Sequence, residues 1–181
     1  MSDRAATISI RPVEAPDLDA IQRIYAHHVL YGLASFEETP PDAAELARRW
    51  RAIADSGLPY LAAIDGASGA LVGYAYAGAY RPRSAYRFTV EDSVYVAPDA
   101  AGRGIGRALL QRLIDICTGL GKRQMIAVIG DSGNEASIRL HRACGFELTG
   151  TFIAIGFKHG RWVDTVLMQR PLGPGDRTLP A

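Results

Sequence analysis

Cysteine is scarce in this chain: Cys117 and Cys144 are the only two in 181 residues. Two are too few for the disulfide framework of a small secreted domain. Both fall in stretches that read as helix, where a free thiol behaves as a small core residue. An excess of either charge is lacking too, since 20 basic side chains stand against 19 acidic ones, for a net charge of +1. That balance supplies no electrostatic pull toward nucleic acid or an anionic membrane, and neither is expected as a partner. No apolar run approaches the roughly 18 residues of a membrane-spanning helix. Met1 to Ala6 lacks the apolar core of a secretory leader. The expectation is a cytoplasmic protein in a reducing compartment. His27-His28 has no cysteine or carboxylate at ligand spacing, so no metal site is expected.

What is present is ordinary for a folded chain: 48% hydrophobic and 22% charged residues. At about 150 residues per domain the length suits one domain, placed at 1–170. Residues 171–181 hold three prolines and two glycines and read as a flexible tail.

Thr7 to Arg11 alternates as a strand, and Leu18, Ile21, Ile24 and Tyr25 mark one face of a helix, with His28 nearby. Asp42 caps a second helix with Leu46, Trp50 and Ile53 spaced for burial. Tyr60 to Ile64 and Ala70 to Tyr80 flank a hairpin turn, and Phe88 to Val96 continues the meander. Ile105, Leu109, Leu113, Ile116 and Cys117 form a helical stripe from Gly104 to about Leu120. Gln124 to Ile129 reads as a buried strand, and Asn134 to Cys144 as a helix stopped by Gly145. Two last strands, Phe146 to Phe157 and Trp162 to Gln169, are joined by the turn at Lys158 to Arg161. The predicted order is β α α β β β α β α β β. It implies a mixed α/β (α+β) sheet, mostly antiparallel, with one right-handed parallel crossover and helices on both faces.

Ala101-Gly102-Arg103-Gly104-Ile105-Gly106-Arg107 lies between a strand and a helix. Glycines let the backbone turn sharply and bring its N–H groups near an anion. The helix N-terminus adds unpaired donors and partial positive charge, which together make a pyrophosphate cradle. The dinucleotide fingerprint fails, because Arg107 and Leu109 stand three residues after Gly104 and Gly106. No Gly-Lys-Ser/Thr triplet exists either.

Ser93 to Leu110, around this loop, resembles the acyl-CoA signature of the GNAT superfamily of N-acetyltransferases, and Asn134 to Phe146 resembles its second CoA-side motif. Three further blocks resemble the phosphinothricin N-acetyltransferase group, which includes the methionine sulfoximine and methionine sulfone acetyltransferases. They are Ser35 to Pro40, Ser84 to Glu91, and Gly156 to Asp164. The resemblance spans about Ile8 to Pro171 and implies a GNAT-type fold, acetyl transfer from acetyl-CoA to a primary amine, no metal, and a homodimer. One position departs from it: the superfamily usually has Gln or Arg where this chain has Ala101.

By resemblance, Val94, Tyr95 and Val96 lie where the strand splays and backbone amides polarise the thioester. Gly102, Arg103, Gly104, Ile105, Gly106 and Arg107 hold the pyrophosphate, and Asn134 and Ser137 flank the pantetheine arm. Glu91 matches the family's general base, while Asp92 points to the opposite strand face and ranks below it. His141 matches a histidine of the narrower group. It reads either as a catalytic group, protonating the thiolate or assisting the amine, or as a core histidine. Arg81, Arg83 and Tyr86 match the acceptor pocket, with Phe36 and Tyr80 as apolar walls and Glu37 as a partner for the substrate ammonium. Paired arginine donors suit a carboxylate together with a phosphinyl, sulfoximine or sulfone group. The expected substrate is therefore an amino acid or such an analogue. Rival readings are another amine (a polyamine, an aminoglycoside or a peptide N-terminus) and a non-catalytic acyl-CoA sensing module.

Overall fold

Secondary structure follows the predicted order closely in a computed structural model that describes residues 7–180. Met1 to Ala6, where no leader is expected, and Ala181 lie outside the described residues. Strand β1 is Ile8–Pro12, and a short 3-10 turn at Ala15–Asp17 leads into α1, Leu18–Tyr31. Arg11 clamps that turn with paired bonds to Asp17 of 2.7 and 2.8 Å. Helix α2, Ala43–Asp55, begins where the Asp42 carboxylate accepts the Glu45 N–H at 2.8 Å. Strands β2 (Tyr60–Asp65), β3 (Leu71–Ala79) and β4 (Thr89–Val96) follow. Then come α3 (Ile105–Gly119), β5 (Gln124–Gly130), α4 (Glu135–Ala143), β6 (Glu147–Lys158) and β7 (Arg161–Pro171).

The seven strands form one sheet in the order β1-β2-β3-β4-β5-β7-β6. Every neighbouring pair is antiparallel except β4–β5, which α3 joins as the expected parallel crossover. Periodicity explains the two layers. The α3 stripe buries Ile105, Leu109, Leu113 and Cys117 against Val90, Met125 and Met168 of the sheet. On the other face α1 and α2 bury Ile21, Val29 and Leu46 against Tyr60 and Tyr74. Both cysteines are buried free thiols, and burial pushes Cys117 up to about 12, so it stays protonated at neutral pH.

Two features bear on function. Strand β4 pairs with β3 as far as Val96 but with β5 only through Asp92, opposite Ala127. Beyond that point β5 stays with β7, so the sheet opens between β4 and β5. The second feature is the C-terminal segment, expected to be a flexible tail. Leu172 is buried, and the Arg123 guanidinium donates to the Gly175 and Leu179 carbonyls and the Thr178 hydroxyl. One arginine, more than fifty residues upstream, thus tethers the chain through Leu179.

Candidate active site

The glycine loop opens α3 as a cradle. Gly102 and Gly104 both sit at φ 78°, in the left-handed region that L side chains avoid. The bond from Ala108 N–H to the Gly104 carbonyl closes the first helical turn. The N–H groups of Ile105, Gly106 and Arg107 therefore project past the helix end. A Cβ on Gly106 would lie 3.2 Å from Leu140 and 3.7 Å from Val96, so glycine is what lets α3 approach α4 and β4 this closely. The loop, Val94 to Val96, Arg107, Asn134, Ser137 and Leu140 line a groove of about 470 Å³. Bare glycine backbone, free helix-end donors and a cationic side chain suit the pyrophosphate of an acyl-CoA. Arg103 does not line this groove; it is drawn away to the Asp65 carboxylate at the end of β2.

The sheet opening supplies the next part. Ala97 N–H bonds to the Val72 carbonyl, so alternate residues Tyr95 and Ser93 direct their backbone groups toward β3. Val94 and Val96 direct theirs toward the gap. The Tyr95 amide thus belongs to the β3–β4 ladder and not to the gap, and its ring packs against Tyr25, His28 and Tyr74. Of the edge groups at the gap, the Val96 carbonyl accepts a bond from His28 Nε2 at 2.9 Å. The sequence gives the His27-His28 pair no task, but His28 lines the groove and props the open edge. Burial lowers its pKa, which keeps the ring neutral.

A small chamber of about 60 Å³ fills the gap itself, between Asp92 to Tyr95 on one side and Ala127 to Gly130 on the other. Asn134, Ser137 and His141 close it. Asn134 caps α4 through its side-chain oxygen, which accepts the Ser137 N–H at 3.3 Å. His141 is buried, with Nε2 2.9 Å from Asp92 Oδ2 and Nδ1 2.8 Å from the Ser137 carbonyl. Burial lowers the His141 pKa, but the Asp92 bond and charge outweigh it and the net shift is upward. Strand alternation correctly separates Glu91 from Asp92. Asp92 faces the α3–α4 layer, and there it meets His141. Glu91 and His141, paired as catalytic candidates in the sequence, stand in different cavities.

Glu91 lines a third cavity of about 380 Å³ with Phe36, Tyr80, Arg81, Phe152 and Thr165. Burial and the neighbouring Asp92 charge raise the Glu91 pKa, and Arg81 partly offsets them. The Arg81 guanidinium lies over the Tyr80 ring at 5.2 Å, and Tyr86 packs edge-on to Tyr80 at 5.5 Å. Tyr86 itself does not line the cavity. Arg83 is exposed and does not line the cavity. Glu37 does not line it either; its Oε1 accepts from Arg49 at 2.6 Å and from Tyr25 at 3.1 Å. Gly156 explains the seat of Phe36, because a Cβ there would fall 2.3 Å from the ring. The chamber adjoins the other two cavities. It shares Val94, Tyr95, Asn134 and Ser137 with the groove, and Val128 with the Glu91 cavity.

Among the described residues, no helix is long and apolar enough to cross a membrane, and no three His, Cys, Asp or Glu side chains gather as a metal site.

A sheet opened beside a glycine cradle, with a carboxylate cavity across the gap, is the architecture of an acetyltransferase, and the profile of the acetyltransferase (GNAT) family matches residues 21–146. The chain belongs to that family. Its relatives narrow the class. It is 60% identical over 172 residues to phosphinothricin N-acetyltransferase of Alcaligenes faecalis, covering 95% of this chain and 86% of that protein. It is 45% identical over 166 residues to an L-methionine sulfoximine/L-methionine sulfone acetyltransferase of Pseudomonas paraeruginosa, covering 92% and 95%. The crystal structure of a GNAT superfamily phosphinothricin acetyltransferase from Sinorhizobium meliloti in complex with AcCoA superposes with a TM-score of 0.93 at 55% identity, covering 97% of this chain and 94% of that one.

Proposed function

We propose that this chain is an acetyl-CoA-dependent N-acetyltransferase acting by direct transfer on the amino group of an amino acid or analogue, such as phosphinothricin, methionine sulfoximine or methionine sulfone, with Glu91 as general base. One observation carries the reading. Glu91 and Arg81 share a cavity that borders, at Val128, the chamber in the sheet opening, and that chamber borders the groove fitted for an acyl-CoA.

Acetyl-CoA supplies an acetyl group already activated as a thioester. Gly102, Gly104, Gly106 and the α3 N-terminus hold its pyrophosphate. Asn134 and Ser137 flank its pantetheine arm. The open-edge amides of Val94 and Val96 are fixed donors of the kind that stabilise a developing oxyanion, each contributing about 3–4 kcal/mol where such donors are aimed well. Arg81 offers planar paired donors to the acid groups of the acceptor.

A substrate ammonium has no lone pair, so Glu91 first removes a proton. Its raised pKa makes it a better acceptor near neutral pH. The nitrogen then bonds to the carbonyl carbon as the carbon–sulfur bond breaks and the electron pair leaves on sulfur. A second proton leaves nitrogen as the amide forms. One of the two ends on the thiolate and the other is released. A homodimer is part of this reading, supported by exposed Ile153, Phe157 and Trp162 on β6 and β7 and testable by light scattering.

The test is free-thiol release from acetyl-CoA with phosphinothricin, methionine sulfoximine, methionine sulfone, the common amino acids, a polyamine and an aminoglycoside. Fast release with the first three is expected. Release only with the polyamine or aminoglycoside would overturn the substrate class. Release with none, while calorimetry shows acetyl-CoA binding, would point to a peptide acceptor or a sensing role.

A further inference from the structure

Asp92, which lines the chamber between β4 and β5, has one carboxylate oxygen whose bonding is incomplete. Asp92 is 1% exposed at its side chain and His141 5%. Asp92 Oδ2 takes the His141 Nε2 contact, but Asp92 Oδ1 is buried with no hydrogen-bond partner. A buried carboxylate oxygen is costly to leave unpaired, so such an atom on a residue that lines a cavity points to a donor supplied by what the cavity takes in.

His141 is not that donor, and hydrogen-bond logic shows why. The Ser137 carbonyl can only accept, so Nδ1 carries a proton. Nε2 faces a carboxylate, so the remaining proton lies between ring and Asp92. Both nitrogens are committed, and neither is directed at the chamber's contents. The imidazole instead locks Asp92 in one rotamer. Its ring also packs edge-to-face with Phe146, centroids 5.1 Å apart, which fixes it.

We infer that Asp92 Oδ1 accepts a hydrogen bond from the attacking amine, with His141 as the positioning residue that holds Asp92 in place. The inference rests on the acetyltransfer reaction proposed above. Glu91 and Asp92 are then two consecutive carboxylates with separate tasks on opposite strand faces. Glu91 takes the proton in the acceptor cavity. As the deprotonated amine advances into the chamber, Asp92 accepts one of its remaining N–H groups, so that the nitrogen lone pair turns toward the acyl group. The chamber fits this use. It adjoins the other two cavities, and its volume of about 60 Å³ suits a small polar group.

The variant Asp92→Asn tests it. The amide keeps the shape, but His141 Nε2–H must be met by the amide oxygen. The NH2 then faces the chamber, placing a donor where an acceptor stood. With phosphinothricin or methionine sulfone as acceptor, kcat/KM should fall roughly 10- to 100-fold, as for one lost bond to a charged acceptor. Acetyl-CoA affinity by calorimetry should be unchanged, and the imidazole NMR titration of His141 should move to lower pH. Unchanged kcat/KM in a folded variant would mean that Oδ1 meets only water, and would overturn the inference. Equal loss of acetyl-CoA binding would make Asp92 a purely structural residue and would overturn it as well. Should Asp92→Asn fail to fold, Asp92→Glu keeps the charge and displaces the oxygen, and the same two readouts decide. A wild-type protein inactive toward every amine in the panel would instead overturn the proposed reaction, and this inference with it.

Discussion

His141 Nε2 lies 2.9 Å from Asp92 Oδ2, across 49 residues of sequence, while its other ring nitrogen is held by the Ser137 carbonyl. The pair is a buried charge matched by a buried partner, and its worth depends on pH. The folded pKa of His141 is raised above the ordinary value of about 6.5. Its contribution is therefore full below that value and is lost as pH rises through the raised one. His141→Leu leaves the Asp92 carboxylate buried alone and should cost about 3–5 kcal/mol at pH 6. Urea unfolding at several pH values checks this, and the gap between wild type and variant should narrow as pH rises. A gap that widens would contradict an ionic pair.

Glu91→Gln should lower kcat by about 10²- to 10⁴-fold, the usual worth of a general base, and leave acetyl-CoA affinity intact. The acidic limb of the wild-type kcat/KM profile reports the Glu91 carboxyl. Arg81 holds that pKa down against burial and Asp92. Arg81→Ala should therefore shift the limb to higher pH as well as raise KM for acidic acceptors. Arg83→Ala, which removes an exposed side chain outside the cavity, should do neither. Equal effects from the two arginines would refute this division.

Gly156→Ala should act on the acceptor alone. The new Cβ would collide with the Phe36 ring, which is the movable partner and partly exposed. Phe36 should swing from the cavity wall and raise KM for the amine several-fold, with acetyl-CoA binding and melting temperature little changed. Steady-state kinetics with each substrate varied in turn would show it.

Gly104→Val should abolish measurable acetyl-CoA binding. The residue sits at φ 78°, where a β-branched side chain is strained by about 1–3 kcal/mol. Relieving that strain turns the Ile105 to Arg107 amides away from the ligand. Wild-type affinity by calorimetry would contradict the cradle.

Local pattern is enough to read much of this fold. The 4-4-3-1 spacing of Ile105, Leu109, Leu113, Ile116 and Cys117 makes α3 legible, and Asp42 and Gly145 mark helix ends that the structure keeps. Alternation along β4 correctly puts Glu91 and Asp92 on opposite faces. What alternation does not say is what waits on each face. Asp92 looks idle in the sequence because His141 arrives from α4, and Arg103 looks free because Asp65 arrives from the end of β2. The same holds for Arg123, which no periodicity connects to Thr178. His28 belongs to a histidine pair without ligand spacing, yet its task is to bond a backbone carbonyl. Such a carbonyl is available only because β4 has lost its neighbour, a property of the assembled sheet that no single segment carries.

That loss of a neighbour divides the sheet in two. Strands β1 to β4 make one leaf and β5, β7 and β6 the other, stitched by four residue pairs from Thr89–Gln124 to Asp92–Ala127. Any substrate seated past that short seam touches both leaves and resists their parting. Occupancy is then a clasp as well as a step in turnover: a ligand held across the opening favours the closed arrangement by mass action, and after each product release the leaves are joined by the short seam and by the α3 core that packs on both.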